Sequence, residues 1–272
     1  MSEEFVRLYF HGELVGLLTC PHHFGAVHYP DNRAASIKDV IEAIGVPHTE
    51  VHAIHMNGVA HDFSLQLIPN ARIAILPANL TSDYPVDVTR ATLLRPALEE
   101  LRFLVDENVA RLASLLRALG FDTAYNRIWD DERIAELAVK EGWVVLSRDR
   151  ALLKRSAIEH GRLIRSQVAD EQLLEVLRHF MITKPVQAFS RCLCCNALTE
   201  PVNKAEILHR LEPKVRTHYH SFRRCPMCDR IYWRGTHYKK LMARFTALGI
   251  DMLQFMDYDQ SRHVIKPQGH IV

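Results

Sequence analysis

Apolar and polar positions follow two different rhythms along this chain. In the first stretch "FVRLYF" (residues 5–10) reads as a strand, and "ASIKDVIEAIG" (35–45) sets Ile37, Val40, Ile41 and Ile44 on one helical face. Ser36 is the expected N-cap of that helix, Asp39 lies in its first turn and Gly45 stops it. "VHAIHMNG", with a turn at Asn57-Gly58, and "ARIAIL" follow as strands, so residues 1–80 predict an α+β module. The rhythm changes over 99–182, where the runs "RFLV", "DTAYN", "WVVLS" and "RLIRS" alternate with the helical patterns "ARLASLLRALG", "ERIAELAVKEG", "RALLKRSAIEHG" and "DEQLLEVLRHF". Repeated strand–helix order predicts an α/β fold, a Rossmann-like parallel sheet with helices on both faces. Between the two, "PANLTSDYPVDVTRATLLRP" is polar and turn-rich and reads as a linker, placed at 81–98. Residues 183–272 form a third segment.

Composition changes this picture only at the end of the chain. Residues 1–90 carry 5 Lys/Arg against 10 Asp/Glu, residues 91–182 carry 14 against 15, and residues 183–272 carry 15 against 7, a net of +8. A basic third segment, including the tail, points to a polyanion partner. No apolar run approaches the roughly 18–20 residues of a membrane span. The acidic start "MSEEFVRLYF" lacks the basic and apolar regions of a secretory signal, so a cytoplasmic protein is expected, with thiols or metal ligands rather than disulfides.

Carboxylates recur where the predicted parallel strands end. Asp106 follows "RFLV", Asp149 follows "WVVLS", and Asp130 and Asp131 stand where the chain returns from the second strand into a helix. Ligands of such sheets sit beyond the carboxyl ends of the strands. Each Asp is also a good helix cap, yet several at one sheet edge repel one another unless a cation lies between them. Mg²⁺ or Mn²⁺ suits hard oxygen ligands. No Gly-rich phosphate loop follows the first strand, which turns the reading from nucleotide binding to metal-assisted phosphodiester hydrolysis. Arg148, Arg150, Lys154 and Arg155 flank Asp149 as candidate phosphate contacts, and Glu107 and Asn108 either support the site or begin the helix.

Two CxxC pairs, Cys192/Cys195 and Cys225/Cys228, have the spacing of knuckles that clamp tetrahedral Zn²⁺, a closed structural site. Cys194 competes with Cys195 only through the less usual CxC spacing. The 29 residues between the pairs exceed a common ribbon gap, so an insertion around "KAEILHRL" is expected. After the second pair, "RIYWRGTHYKK" interleaves Tyr232, Trp233 and Tyr238 with basic residues, among them Arg234 and Lys239, a composition suited to stacking bases and neutralising phosphates.

"FLVDENVARLASLLRALGFDTAYN", "DDERIAELAVKEGWVVLSRDRALL" and the cysteine pairs together resemble the Mut-seven C-terminal RNase domain, a branch of the PIN-like nucleases, over about Leu101 to Lys240. The resemblance implies a PIN-like domain at 99–182 and a zinc ribbon at 183–272. It makes Asp106, Asp131 and Asp149 the metal-binding acids, with Asp170 or Glu171 as a candidate fourth, and favours Cys195 over Cys194. It also implies endonucleolytic cleavage of single-stranded RNA that leaves a 5′-phosphate and a 3′-hydroxyl; the alternative is an RNA-binding protein with a weak or inactive acidic site, acting through its ribbon and basic surface. The layout of 1–80 resembles the ubiquitin-like β-grasp of small sulfur carriers, and the fusion of such a module resembles bacterial members of the same family. The chain runs on with no terminal Gly-Gly to be thiolated, so a docking or regulatory module with a protein partner is expected. PIN-like domains often pair, which leaves a homodimer open, and oligomeric state is otherwise unassigned.

Overall fold

Ser36 opens the first helix as its pattern predicts. Its hydroxyl accepts the Asp39 N–H, Ile37, Val40, Ile41 and Ile44 are all buried, and Gly45 ends the helix at φ 116°. The computed structural model describes residues 5–19, 25–30, 35–78, 94–95 and 98–252. The linker expected at 81–98 and the tail beyond 252 lie largely outside the described residues.

The first sheet is built from β1 (Phe5–Phe10), β2 (Ala26–Pro30), β3 (Val51–Met56), β4 (Val59–His61) and β5 (Arg72–Pro77), with α1 (Ile37–Ile44) between β2 and β3. Its order is β2-β1-β5-β3-β4, with β1 parallel to β5 and the remaining pairs antiparallel. The tight turn from β3 to β4 sits at Asn57 and Gly58, both at positive φ.

The second sheet contains β6 (Phe103–Val105), β7 (Thr123–Ala124), β8 (Val144–Ser147) and β9 (Gly161–Leu163) in the order β7-β6-β8-β9, with β6, β8 and β9 parallel. Its helices are α2 (Ala110–Ala118), α3 (Asp131–Glu141), α4 (Arg150–Leu153) and α5 (Ala169–His179). The mixed α/β class and the parallel sheet match the sequence pattern. One element is shorter: the helix read over "RALLKRSAIEHG" is a single turn, α4, after which the chain bends.

By its internal contacts the chain forms two compact units, Met1–Arg111 with Ala124–His179, and Leu112–Thr123 with Phe180–Val272. In the first unit both sheets share one continuous core. Val6, Leu8, Ile41, Val51 and Ile73 of the N-terminal module belong to the same buried cluster as Leu104, Val145, Leu152, Leu153, Ile158 and Leu163. Polar groups join the same regions. The Glu50 carboxylate, fully buried, accepts from Arg162 at 2.6 Å and from the Leu163 N–H at 2.6 Å. Glu13 meets Arg162 at 2.7 Å. Arg95, from the segment read as a linker, donates to the carbonyls of Thr49 (2.8 Å), His48 (3.1 Å) and Glu159 (3.1 Å) and also to that of Val51. Burial brings the Arg95 pKa down to about 10, against the pull of Glu50 and Glu159.

Removing one member of such a buried pair strands the other's charge. Arg162→Met is therefore expected to destabilise the first unit by roughly 3–5 kcal/mol, read from the urea midpoint, and a loss below about 1 kcal/mol would show that water reaches the pair. Burial would raise the Glu13 pKa, but hydrogen bonds from His179 and Arg162 and the charges of Arg162 and Arg165 outweigh it and hold the carboxyl well below its ordinary 4.5. A depressed carboxylate contributes stability that is present above its unfolded pKa and lost as pH falls towards the folded one. Wild-type stability should accordingly decline below about pH 4.5, and less steeply in Glu13→Gln.

The second unit carries β10 (Glu200–Val202), α6 (Lys204–Ile207), α7 (Pro213–His218), β11 (Phe222–Arg224), β12 (Ile231–Tyr232) and α8 (Thr236–Ala247). Its sheet is antiparallel, β10-β11-β12, over a small core of Ile207, Leu211 and Phe222. α6 and α7 form the insertion expected between the cysteine pairs. No helix among the described residues is long and apolar enough to cross a membrane.

Candidate active site and metal centre

The acidic site begins where β6 stops. Phe103, Leu104 and Val105 are all buried, and the Asp106 N–H still donates to the Leu146 carbonyl of β8 at 3.1 Å, so Asp106 is the last residue tied to the parallel ladder. Its carboxylate caps the turn Glu107–Val109 by accepting the Glu107 N–H at 2.6 Å. Its other oxygen accepts from the Ser147 hydroxyl at 2.6 Å and the Asn108 amide at 2.5 Å. Ser147 closes β8 with no exposed surface, and its hydroxyl oxygen in turn accepts the Asp149 N–H at 2.8 Å. Asn108 returns the link by accepting the Arg148 N–H at 3.0 Å. The ends of β6 and β8 are thus stitched together by one buried hydroxyl and one amide. Asn108 acts as a supporting group as well as a turn residue; Ser147 had no pattern to reveal it, being a single serine after an apolar run.

Asp149 caps α4, accepting from the N–H groups of Ala151 (2.6 Å) and Leu152 (3.4 Å). At α3 the two adjacent acids divide the work. Asp130 is the cap, accepting the Arg133 N–H at 2.9 Å, and the carboxylate of Asp131 meets Arg155 at 3.9 Å. Burial raises the Asp131 pKa, and the charges of Asp149, Asp106 and Asp130 push it further, with Arg155 at 3.9 Å opposing. Asp131 thus lies within reach of the charges of Asp106 and Asp149, a condition under which a cation beside it is favoured. The carboxylate oxygens of the three acids do not all lie within 4.8 Å of one another: among the described residues the cysteine quartet is the one group of three or more His, Cys, Asp or Glu that does. The donor set, carboxylate oxygens only, fits Mg²⁺ or Mn²⁺ with waters completing the shell.

Glu107 accepts from the Tyr125 hydroxyl at 2.6 Å; of the candidate fourth acids, Glu171 accepts from the Ser166 hydroxyl at 2.5 Å and Asp170 lies in the first turn of α5. The basic residues after Ser147 do not behave alike. Arg148 is exposed. Arg150 donates to the carbonyls of Leu17 (2.7 Å) and Gly45 (3.2 Å), and Lys154 to that of Glu42 (2.5 Å), so both cations are occupied within the protein.

In the second unit Cys192, Cys195, Cys225 and Cys228 converge, with Sγ separations of 3.4 Å (Cys192–Cys228) and 3.3 Å (Cys195–Cys225). Each pair folds as a knuckle. The N–H groups of Asn196 and Asp229 return to the carbonyls of Cys192 and Cys225, both at 3.0 Å, and these two residues take φ of 73° and 58°. Asn and Asp are the non-glycine residues that best tolerate that region. Burial would raise the Cys192 thiol, but the Tyr232 hydroxyl at 3.0 Å and the N–H groups of Cys195 and Cys194 bring it down to about 6. Burial and the neighbouring sulfurs push Cys228 up to about 12. Four sulfurs this close share their charge only with a cation among them, and the donor set fits a tetrahedral divalent ion; the arrangement is consistent with a zinc ribbon. Cys194 stands outside the quartet and is exposed.

Arg117 carries the knuckle's rear. Buried in α2, it donates to the carbonyls of Thr123 (2.8 Å), Leu193 (3.1 Å) and Cys194 (2.7 Å). Asn196 adds bonds to Asp122 (2.5 Å) and to the Thr123 N–H (3.1 Å). Neither role had a signal in the spacing. Arg234 stacks over the Tyr238 ring at 5.5 Å, and Lys239 is exposed on α8.

A family model described as Mut7-C RNAse domain matches residues 101–245, and one described as Mut7-C ubiquitin matches residues 3–83. No match was found among curated proteins or among solved structures.

Proposed function

Since the chain belongs to the Mut7-C RNAse domain family, a nuclease role follows, and we propose that the protein hydrolyses phosphodiester bonds of single-stranded RNA using Mg²⁺ or Mn²⁺ held by Asp106, Asp131 and Asp149. The observation that carries this reading is the position of Asp106 and Asp149 just beyond the carboxyl ends of the adjacent parallel strands β6 and β8, where Ser147 bridges them. A divalent cation there supplies neutralisation of the scissile phosphate and acidification of the attacking water. The chain's own groups set the geometry. Ser147 and Asn108 fix one Asp106 oxygen and the Glu107 N–H the other, the first turn of α4 orients Asp149, and Asp130 takes the capping duty at α3. Arg148, exposed beside Asp149, is placed to meet a phosphate.

In this reading the four cysteines hold a structural Zn²⁺, and the ribbon offers Arg234 and Lys239 to the RNA backbone with the aromatic rings around them. A second reading, RNA binding without cleavage, is favoured by one observation: the Asp106 and Asp149 carboxylates already satisfy N–H and O–H donors, as pure caps would. A 5′-labelled single strand incubated with Mn²⁺ separates them. Internal fragments absent from an EDTA control are expected, with duplex RNA cut at least tenfold more slowly. RNA bound but uncut at every metal concentration would establish the second reading. Neutralising Arg234 and Lys239 together should lower the slope of log Kd against log[salt] by roughly 1–2 units, since single strands give about 0.7 per phosphate contact.

A further inference from the structure

α4 is four residues long, and the carboxylate of Asp149 is held by the N–H groups of its first turn. A single helical turn does not persist by itself, because nucleation costs more than one turn of hydrogen bonds returns. Its geometry is therefore imposed from outside. Two of its side chains, Leu152 and Leu153, are fully buried in the core that both sheets share. Arg150 and Lys154 reach in the same direction, to the carbonyls of Leu17, Gly45 and Glu42. Glu42 lies in the last turn of α1 and Gly45 is its C-cap, where the helix dipole favours cations; the Glu42 carbonyl also accepts the Gly45 N–H at 3.1 Å.

The chain leaving α4 meets the N-terminal module again. His48 bridges the Glu42 carboxylate (2.6 Å) and the Ile158 carbonyl (2.9 Å). Gly161, the first residue of β9, lies so close to Thr49 that an added Cβ would come within 3.3 Å of its methyl group. Glu50 then takes the Leu163 N–H and Arg162.

We propose that the N-terminal ubiquitin-like module is a positioning element of the acidic site: by receiving Arg150 and Lys154 on the end of α1 it holds α4, and with it Asp149, in place. This rests on the nuclease reading for its consequence, though not for its geometry. It also separates Arg150 and Lys154 from Arg148. They are positioning residues for Asp149, where their sequence position alone suggested contacts to phosphate.

The test uses the full chain with Arg150→Met and Lys154→Met combined, changes that keep the aliphatic stems and remove the charges. Lys154→Met alone serves if the pair impairs folding. Amide exchange, measured without RNA or metal, is expected to quicken at least tenfold at Ala151 and Leu152, while the β3–β5 amides keep their rates. With Mn²⁺ and single-stranded RNA, kcat is expected to fall at least tenfold with Kd for RNA within about twofold, and Arg150→Lys with Lys154→Arg should restore most of both. Unchanged exchange at Ala151 and Leu152 overturns the proposal. So does weaker RNA binding with kcat intact, the mark of phosphate contacts. Should wild-type cleavage survive Asp106→Asn, the nuclease reading falls by itself, and the exchange rates still decide whether the module holds α4.

Discussion

Asp106→Asn is expected to abolish Mn²⁺-dependent RNA cleavage, by roughly 10³-fold or more in kcat, and to leave RNA affinity within about twofold. The size follows from what the carboxylate would do. Charge stabilisation by a metal is worth several kcal/mol, and each 1.36 kcal/mol is about a factor of ten in rate. Asn keeps the shape and one carbonyl oxygen, so the cap to Glu107 survives. The new amide group faces Asn108 Nδ2, a second donor, and Ser147 Oγ, which can turn to accept. The fold should therefore lose only about 1 kcal/mol, the usual worth of one hydrogen bond. Cleavage is followed on labelled single strands and affinity by fluorescence anisotropy. Activity that copurifies undiminished with the variant would come from another nuclease and would end the assignment.

The other large effect concerns the cysteines. Purified protein is expected to carry one Zn²⁺ per chain, and Cys225→Ser, or treatment with a strong chelator, to unfold the β10–β12 sheet and its knuckles. The three-stranded sheet covers the small cluster of Ile207, Leu211 and Phe222 with a few partly buried neighbours, little to hold three short strands in place, whereas α2 and α8 bring their own buried residues, Leu112, Leu116 and Phe245 among them. Structural zinc contributes an apparent 10–16 kcal/mol or so in small modules, far beyond what such a core supplies. Cys225 is fully buried at the cluster, so serine there removes a ligand with little change of shape. Metal content by plasma mass spectrometry and the near-ultraviolet dichroism of Trp233 report the two halves of the prediction. A metal-free protein whose Cys225→Ser form melts with the wild type would refute the structural role.

What could be read in the chain beforehand was whatever has a local signature. The cap Ser36, the stop Gly45 and the four apolar positions of α1 lie within eleven residues of one another, and all behave as their spacing implies. The cysteine pairs were legible for the same reason, and the pattern of alternating strands and helices announced the parallel sheet. Legibility faded with sequence distance. Ser147 meets Asp106 across 41 residues, Arg162 meets Glu13 across 149, and Arg117 meets Cys194 across 77. Nothing near any of these residues distinguishes it from an ordinary serine or arginine. The basic run after Asp149 misled in the same way, since Arg150 and Lys154 are surface-like in pattern and are claimed by carbonyls more than a hundred residues away. α4 is shorter than its pattern because the helical pattern continues past Lys154 while the backbone turns to bring Ile158 into the shared core.

That shared core also bears on how such a protein can be inherited. The segment matching the ubiquitin-like model and the one matching the nuclease model have separate names, as portable parts do, yet in the first unit they have a common interior. A gene fission between them would release a nuclease half with Leu152, Leu153, Ile158 and Leu163 newly wetted and Arg162 without its carboxylates, a product prone to aggregate before it could be tried for activity. Lineages that keep this packing are bound to pass the two segments on together, and recombination can trade the ubiquitin-like segment only for one that brings its own Glu50, its own α1 terminus and a matching apolar face.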